Sequence, residues 1–265
     1  MVKILFTICG RAGSKGIKNK NIKMFCGIPL PYYTLSAIDL FIKETNLKIN
    51  IDIVANTDSA ELLKMICNNP MQEVHVIERT KLLSDDNVAK IDVVKDCMEK
   101  MQEKMSKKYD IILDLDLTSP LRTSGDIERV IEKHIEKSAD VTTTVTTARR
   151  NPYFNQVKKV EHGFKKVLES NYTARQQAPE IFDMNASIYA YSPKYLGLKK
   201  GVLDGYCECV EMYDTGILDL DHENDFQLMQ VIAEYLFEKN TKYQKIKENA
   251  MEIWKASVDM KKFFK

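Results

Sequence analysis

Residues 1–148 alternate between strand-like and helix-like apolar patterns, and this alternation restricts the possible folds more than any other feature. Short apolar runs that are typical of buried strands are followed by segments whose apolar residues recur at helical spacing. Strands are predicted at 3–9, 49–57, 73–79, 109–116 and 139–148, and helices at 32–43, 58–69, 89–101 and 125–138. Strands joined through helices by short links form a parallel sheet with right-handed crossovers. We therefore predict an α/β fold with a Rossmann-like, mostly parallel sheet covered by helices.

The pattern changes after residue 148. Residues 149–183 are too polar to form a core of their own, and they contain a predicted hairpin that turns near His162 and Gly163. Further strands are predicted at 184–192, 206–214 and 216–221, followed by a helix at 223–240 and a helical tail at 241–265. We predict one α/β domain from residues 1–148 and 184–240, an inserted segment at 149–183, and the tail. The inserted segment is expected to pack on a second subunit.

The charge of the chain is nearly balanced, with 39 basic against 38 acidic residues. A protein that binds nucleic acid through general attraction to phosphates would show a basic excess, so any anion site must be local. The six cysteines have unrelated spacings, which favours reduced thiols in a cytoplasmic protein over a zinc site or disulfides. The first apolar run leads directly into a glycine-rich loop, and no run is long enough to span a bilayer. Neither a signal peptide nor a membrane partner is therefore expected.

Positive charge is concentrated in residues 10–21, GRAGSKGIKNKN, directly after the first predicted strand. This loop contains three glycines, the neutral donors Ser14 and Asn21, and the cations Arg11, Lys15, Lys18 and Lys20. Glycines allow successive N–H groups to form an anion-binding concavity, and guanidinium and ammonium groups bind phosphate oxygens. The glycine spacing matches neither a P-loop nor a dinucleotide fingerprint. A solvated turn could carry the same residues, but the position after a buried strand favours a phosphate site.

Paired aspartates form the second candidate constellation, in LDLD at 218–221. Asp219 and Asp221 are two residues apart on a predicted strand, so their side chains point to one face. Two carboxylates at that separation suit one Mg²⁺ ion, which also keeps waters and substrate phosphate as ligands. A strand end with solvated acidic residues is the alternative. The pattern recurs at Asp114 and Asp116, and two acidic strand ends with one basic loop would suit a triphosphate and a metal ion.

Three further segments offer side chains that could bind a ligand, although surface loops often carry such residues. They are the loop at 78–90 with Arg79, Ser84 and Lys90, the segment at 117–126 with hydroxyls and Arg122, and the loop at 172–179 with Arg175 and Gln176.

Taken together, these motifs resemble those of the acylneuraminate cytidylyltransferases, or CMP-sialic acid synthetases. The family's Arg-x-x-Ser-Lys-Gly…Lys-Asn motif is matched by RAGSKGIKNKN, and its Thr/Ser-Ser-Pro-Leu-Arg segment by TSPLR at 118–122. Its sugar-binding loop and the following strand are matched by ARQQAP…MNASIY at 174–189. Its Asp-x-Asp is matched by LDLDHENDF at 218–226.

The resemblance implies transfer of CMP from CTP to the anomeric hydroxyl of a nine-carbon 2-keto acid sugar, with Mg²⁺ and with release of pyrophosphate. By position it implies that the nucleotide is bound by Arg11, Ser14, Lys15, Lys20, Asn21, Arg79, Ser84 and Lys90. It implies that the sugar is bound by Asp116, Thr118, Ser119, Arg175, Gln176, Asp183 and Asn185. Asp219 and Asp221 would hold Mg²⁺, and Arg11, Lys20 and Asp221 would act in catalysis. The inserted segment would build a homodimer.

Two departures from the sialic acid enzymes indicate a related acceptor. Those enzymes typically carry Gln-Pro before Thr-Ser-Pro-Leu-Arg, where this chain has Asp116 and Leu117. They often carry an arginine two residues before the Asn that matches Asn185, where this chain has Asp183. Both changes bring an acid to the neighbourhood of the sugar substituents, and the chain is more similar to bacterial legionaminic acid cytidylyltransferases.

Three alternatives are considered. The related 3-deoxy-manno-octulosonate cytidylyltransferases use an eight-carbon acid, but the ARQQAP loop argues against that acceptor. A non-catalytic protein that senses CTP would have less need of the metal-binding pair Asp219 and Asp221. A Rossmann oxidoreductase is disfavoured by the glycine spacing and by the cation-rich first loop.

Overall fold

The computed structural model describes the chain except for residues 14–15, 84, 86–87, 199, 216–219, 221 and 264–265, and it describes residues 260–263 by their backbone alone. The strands are β1 (Val2–Cys9), β2 (Met24–Phe25), β3 (Ile28–Pro29), β4 (Ile49–Thr57), β5 (His75–Glu78), β6 (Ile111–Leu115), β7 (Val141–Thr147), β8 (Val157–Lys159), β9 (Phe164–Lys166), β10 (Phe182–Tyr191) and β11 (Cys207–Glu211). The helices are α1 (Leu30–Glu44), α2 (Ala60–Cys67), α3 (Lys90–Met105), α4 (Ser124–Lys137), α5 (Pro193–Leu196), α6 (Glu223–Lys239) and α7 (Thr241–Phe263). Short 3-10 turns occur at Lys20–Ile22, Lys81–Leu83 and Arg175–Gln177.

The central sheet has seven strands in the order β11-β7-β10-β6-β1-β4-β5. β10 runs antiparallel to both of its neighbours, whereas the other pairings in the sheet are parallel. The α/β fold with a mostly parallel, helix-covered sheet is therefore confirmed. Because β1, β4, β5 and β6 are parallel, their carboxyl ends meet along one edge, where ligands bind in sheets of this kind.

Alternate residues of β1 pack into two different cores. Ile4, Phe6 and Ile8 face the larger core, which is formed with α1, α2, α4, α6 and α7. Leu5 and Cys9 face the smaller core, which is formed with α3 and α5. The period of two along the strand thus makes β1 buried on both faces, which explains its unbroken apolar run.

The element boundaries differ from the predictions by a few residues. The first helix begins at Leu30 rather than at residue 32, because Pro29 is its N-cap and a proline is accommodated in the first helical turn. The last strand of the sheet ends at Glu211 rather than at residue 214. The strand predicted at 216–221 falls largely outside the described residues.

The inserted segment contains the predicted hairpin, formed by β8 and β9 with Gly163 at a φ of 88° in its turn. The C-terminal helix α7 is not detached, because Tyr243, Ile246, Ala250 and Ile253 are buried in the larger core. The division into a domain, an insertion and a tail stays a prediction. No helix in the described part of the chain is both long enough and apolar enough to cross a membrane.

Candidate functional site

The basic loop leaves β1 in close contact with the neighbouring elements. The Gly10 N–H donates to the carbonyl of Asn56 at the end of β4, at 3.1 Å. A Cβ atom at Gly10 would lie 2.7 Å from side-chain atoms of both Leu62 and Leu117. Glycine is therefore required at this position by the close approach of the chain to α2 and to the segment after β6.

A cavity of about 390 Å³ opens at the carboxyl ends of these strands. It is lined by Cys9, Gly10, Arg11, Gly16, Lys20, Asn21, Arg79, Asp85, Val88, Lys90, Val93, Asp116 and Thr118. The seven residues of this lining to which a binding role was assigned from the sequence are Arg11, Lys20, Asn21, Arg79, Lys90, Asp116 and Thr118. They come from the loop after β1, the loop after β5, the start of α3 and the segment after β6, so the fold gathers four distant segments around one space.

The charge of this lining is positive although the chain as a whole is nearly neutral. Four basic side chains line the cavity against two acidic ones. Clustered cations in a concave site attract anionic ligands and raise their local concentration. Val88 and Val93 add an apolar patch. The cavity therefore suits a ligand with both anionic and apolar parts.

Two hydrogen bonds fix the basic loop. Asn21 donates through Nδ2 to the carbonyl of Arg11 at 3.0 Å. The Ala12 N–H donates to Oδ1 of Asp58 at 2.6 Å, which ties the loop to the end of β4. Arg79 is fixed in a similar way, since its Nε donates to the carbonyl of Leu83 at 2.9 Å. The predicted nucleotide ligands Ser14, Lys15 and Ser84 lie outside the described residues.

Lys90 forms the charged centre of the cavity floor. Its Nζ lies 2.7 Å from Oδ2 of Asp114 and 2.7 Å from Oδ2 of Asp116. Asp114 is completely buried, and its other oxygen accepts a hydrogen bond of 2.7 Å from Thr7 Oγ1. The other oxygen of Asp116 accepts from the N–H and the hydroxyl of Thr118, at 2.8 and 2.6 Å.

These contacts keep both partners charged. Burial by itself lowers the pKa of Lys90, but Asp114 and Asp116 outweigh it and hold that pKa well above the usual value. Burial by itself raises the pKa of Asp116, but the Lys90 ammonium and the bonds from Thr118 bring it well below the usual range. At neutral pH the cavity therefore contains the Lys90 ammonium beside the Asp116 carboxylate.

Arg122, which was expected to meet a ligand, is instead a buried structural residue with 1% exposure. Its Nη1 donates to the carbonyl of Ser187 at 2.7 Å, and its Nη2 donates to Thr34 Oγ1 at 3.0 Å. Both nitrogens also lie 3.3 Å from the carbonyl of Asp116. Arg122 thus joins the end of β6 to β10, and the expectation of a ligand contact is wrong.

A second, smaller recess of about 20 Å³ contains two of the predicted sugar-binding residues, Ser119 and Asn185. Ser119 donates to or accepts from the hydroxyl of Ser187 at 2.7 Å. Asn185 Oδ1 accepts from the hydroxyl of Thr144 at 2.6 Å. Thr118 lines the large cavity, and Ser119, the next residue along the chain, lines the recess.

The other predicted sugar-binding residues line neither of these two spaces. Arg175 and Gln176 are exposed on the 3-10 turn of the inserted segment, and Arg175 Nη2 lies 3.5 Å from the carbonyl of Ala148. Asp183 is half-buried on β10, where it pairs with Thr146. The fold therefore separates the predicted sugar ligands into three groups: two that line the large cavity, two that line the recess and three that line neither.

Asp219 and Asp221, the predicted metal ligands, lie outside the described residues. Two residues near this pair in the sequence, Leu220 and Glu223, are described. Leu220 is buried in the larger core, and Glu223 at the start of α6 forms an ion pair with Lys23, which directly follows the Lys20–Ile22 turn.

Three residues shape the site in ways that sequence reasoning did not predict: Thr7 and Asp58 had no role in the site, and Asp114 was expected to serve a triphosphate and a metal ion. Thr7 and Asp114 fix the Lys90 cluster, and Asp58 fixes the basic loop. Each has a signal in the sequence, because Thr7 is a polar residue inside the first apolar run and the two aspartates lie at or just after the ends of predicted strands. That signal marks them as notable without indicating their partners.

Comparison with known proteins gives consistent results over most of the chain. A family model described as Cytidylyltransferase matches residues 5–253. The post-translational flagellin modification protein B of Campylobacter coli is 34% identical over 240 residues, which cover 91% of this chain and 97% of that protein. The CMP-N,N'-diacetyllegionaminic acid synthase of Campylobacter jejuni subsp. jejuni is 35% identical over 232 residues, which cover 88% and 95% of the two chains.

A solved structure supports the same fold. CMP:2-keto-3-deoxy-manno-octonic acid synthetase complexed with CTP superimposes with a TM-score of 0.58 and 14% identity, over 88% of this chain and 99% of that one. The matches confirm two predictions from the sequence, namely the cytidylyltransferase resemblance and the nucleotidyltransferase class of enzyme.

Proposed function

Because the chain belongs to the cytidylyltransferase family, we propose that it transfers CMP from CTP to the anomeric hydroxyl of legionaminic acid or a closely related nine-carbon 2-keto acid, with release of pyrophosphate. The observation that carries this proposal is the positively charged cavity that gathers seven predicted ligand-binding residues from four segments. The acceptor is proposed from the named synthase of Campylobacter jejuni, to which the chain is 35% identical.

The nucleotide occupies the large cavity. Arg11 and Lys20 bind the phosphates and stabilise the charge that builds on the α-phosphoryl group and on the leaving pyrophosphate. The apolar patch of Val88 and Val93, beside Arg79, suits the cytosine ring. The cationic and apolar parts of the cavity thus match the triphosphate and the cytosine of CTP.

The acceptor sugar binds on the side of the recess, where Ser119 and Asn185 offer polar groups. The recess itself, at about 20 Å³, has room for little more than one water molecule, so the body of the nine-carbon sugar lies outside it. Its anomeric hydroxyl attacks the α-phosphorus in line with the leaving pyrophosphate, so no sugar phosphate is needed. Arg175 and Gln176 complete the sugar site from the inserted segment. Neither residue lines the cavity or the recess, as expected if the sugar site is shared between two copies of the chain.

Asp219 and Asp221 are proposed as ligands of Mg²⁺, which when bound would screen the charge of the phosphates. Carboxylates are the hard oxygen ligands that this ion prefers. Support comes from Glu223, two residues after Asp221, which forms an ion pair with Lys23, two residues after the basic loop. Asp221 is also proposed to accept the proton of the attacking hydroxyl.

A homodimer formed through residues 149–183 is part of the proposal, and so is a cytoplasmic location. The exposed apolar side chains of Val157 and Phe164 on the hairpin support the dimer, because isolated apolar groups on a small hairpin gain stability by burial. The proposal includes neither a membrane nor a nucleic acid as a partner.

A substrate panel tests the reaction. The protein is mixed with CTP, Mg²⁺ and either N-acetylneuraminic, legionaminic, pseudaminic or 3-deoxy-manno-octulosonic acid, and pyrophosphate and CMP-sugar are measured. We expect pyrophosphate release that depends on legionaminic acid. Release with the eight-carbon acid instead would favour the octulosonate enzyme, and CTP binding without release would favour a sensor.

Replacement of a phosphate-binding residue tests the site. Arg11→Ala is expected to lower kcat/KM by about 100-fold or more, because a preorganised cation at the reacting phosphate is lost. Lys18→Ala is the matched control, since Lys18 lies in the same loop but is exposed and outside the cavity lining. Equal activity of the two variants, with unchanged thermal unfolding, would contradict the proposed site.

A further inference from the structure

The carboxylate pair at the end of β6 is already engaged by the chain itself. Asp114 accepts from Thr7 and forms an ion pair with Lys90, and Asp116 accepts from Thr118 and from Lys90. The contacts of Lys90 are both 2.7 Å long and use one oxygen of each carboxylate. A divalent cation could bind between the two carboxylates only if the lysine were displaced, because the ammonium already lies there.

The sequence does not reveal that Lys90 lies between Asp114 and Asp116. The pentapeptide ILDLD occurs both at 112–116 and at 217–221, and two carboxylates on one strand face suit a metal ion in either place. In the fold, Lys90 comes from the first position of α3 and takes the place between Asp114 and Asp116 that a cation would occupy. One of the two aspartate pairs is thus supplied with a cation by the protein.

The lysine also remains available to a ligand. An ammonium carries three N–H donors, and the hydrogen bond to Asp116 and the ion pair with Asp114 engage at most two of them. The Lys90 side chain is 34% exposed and lines the large cavity, whereas Asp114 beneath it is fully buried. The remaining donor can therefore meet an anionic oxygen in the cavity.

We propose that Lys90 is a built-in cation of the nucleotide site. Asp114 and Asp116 are its positioning residues: they hold the ammonium so that its third N–H donates to a phosphate oxygen of CTP, and they are themselves closed to metal ions. This inference rests on the proposed function for the identity of the ligand. It changes the role of Asp116 from a direct sugar ligand to a residue that acts through Lys90.

The physical advantage lies in preorganisation. A free lysine side chain loses rotamer entropy when it is fixed, and here that loss occurs on folding rather than on binding. Thr7 and Thr118 hold the two carboxylates, so the ammonium has little freedom to move away from the cavity.

Binding of CTP in the presence of EDTA tests the contact with phosphate, because no metal ion contributes under that condition. Lys90→Met is expected to weaken this binding by about 10- to 100-fold, the value of one hydrogen bond to a charged group. Lys95→Met is the matched control, since Lys95 lies on the same helix and its nearest acidic partner is Glu99, away from the cavity. Unchanged CTP affinity of Lys90→Met would overturn the proposal.

Uptake of Mn²⁺ without nucleotide, followed by electron paramagnetic resonance, tests the closed carboxylate pair. Lys90→Met frees two carboxylates and is expected to bind one more Mn²⁺ ion than the wild type. The triple variant Lys90→Met/Asp114→Asn/Asp116→Asn lacks both the lysine and the carboxylates. The triple variant should bind no more Mn²⁺ than the wild type, and its CTP binding should be as weak as that of Lys90→Met. If Lys90→Met does not fold, the triple variant still tests the proposal. Equal Mn²⁺ uptake by the wild type and Lys90→Met would also overturn the proposal.

Two outcomes separate this inference from the proposed function. If CTP binds with the predicted dependence on Lys90 but no keto acid releases pyrophosphate, the inference stands and the reaction fails. If Lys90→Met leaves CTP binding unchanged and weakens only the binding of the keto acid, the lysine serves the acceptor carboxylate, and the proposed phosphate contact is wrong.

Discussion

Polar side chains in the interior of this protein are held by hydrogen bonds to the strands, helices and loops packed around them. Arg122 donates to the main-chain carbonyls of Asp116, directly after β6, and of Ser187 on β10, and to Thr34 on α1. His134 on α4 is 5% exposed, and its Nδ1 lies 3.0 Å from the hydroxyl of Thr142 on β7. Burial is tolerated at both positions because these polar atoms form hydrogen bonds to protein groups in place of the hydrogen bonds to water that they lose.

The stability of the protein should fall in mild acid because of His134. Burial lowers the pKa of His134 to about 4, against an opposing effect of Asp140. The unfolded chain has a histidine pKa near 6.5, so it binds a proton that the native state excludes between these two values. The stabilisation is complete above about pH 6.5 and is lost as the pH falls towards 4, by roughly 1–3 kcal/mol.

Urea unfolding between pH 4.5 and 7.5 measures this effect. His134→Gln removes the titrating group and keeps an amide that can bond to Thr142, so the fall in stability should be smaller in the variant. A variant whose stability falls as steeply as that of the wild type would show that other groups cause the acid sensitivity.

At the scale of elements, the β8–β9 hairpin forms a two-stranded sheet that is separate from the central sheet. Its pairs Val157 with Lys166 and Lys159 with Phe164 place two apolar and two basic side chains on one face. Val157 is 59% exposed and Phe164 is 68% exposed. A two-stranded hairpin is only marginally stable by itself, so this face would gain from contact with a second copy of the chain.

Disruption of that face should dissociate the proposed homodimer. Phe164→Asp places a charge where burial is expected, and the dimer dissociation constant should rise by at least about 100-fold, or 2.7 kcal/mol. Sedimentation equilibrium measures the change, and Leu203→Asp, at a site that is 62% exposed and outside the insertion, is the control. A monomeric wild type, or a variant that dimerises normally, would contradict the dimer proposal.

At the scale of the whole molecule, α7 closes the larger core over α1. Ile246 is 1% exposed, and its carbonyl accepts a 2.8 Å hydrogen bond from the Ser36 hydroxyl on α1. Asn249 is also buried and donates through Nδ2 to Asp39 at 3.0 Å. The last helix therefore belongs to the core from a structural point of view, whatever its role in the reaction.

Substitutions in α7 should reveal this dependence. Ile246→Ala is expected to lower the free energy of unfolding by about 2–4 kcal/mol, because it removes buried methylene groups and leaves a cavity. Val258→Ala, on the same helix at 38% exposure, should change it by at most about 0.5 kcal/mol. If urea unfolding shows an equally small loss of stability in Ile246→Ala and Val258→Ala, the helix contributes little to the core.

Local patterns in the sequence determined the elements and the basic loop. The two-residue period and the helical spacing of apolar residues are properties of short segments, so β1, β4, β6 and most helices were predicted within a few residues. The glycines and cations after β1 indicated a phosphate site for the same reason, since the chemistry of that loop lies within twelve consecutive residues.

Only the tertiary structure decided which charged groups meet. Lys90 is 24 residues before Asp114 in the sequence, and nothing in the letters between them shows that the start of α3 reaches the end of β6. For the same reason Arg122 could not be distinguished from a ligand-binding arginine, because burial depends on the elements packed around it. The sequence contains the charges, whereas the path of the chain sets the distances between them, and electrostatic interactions depend on those distances.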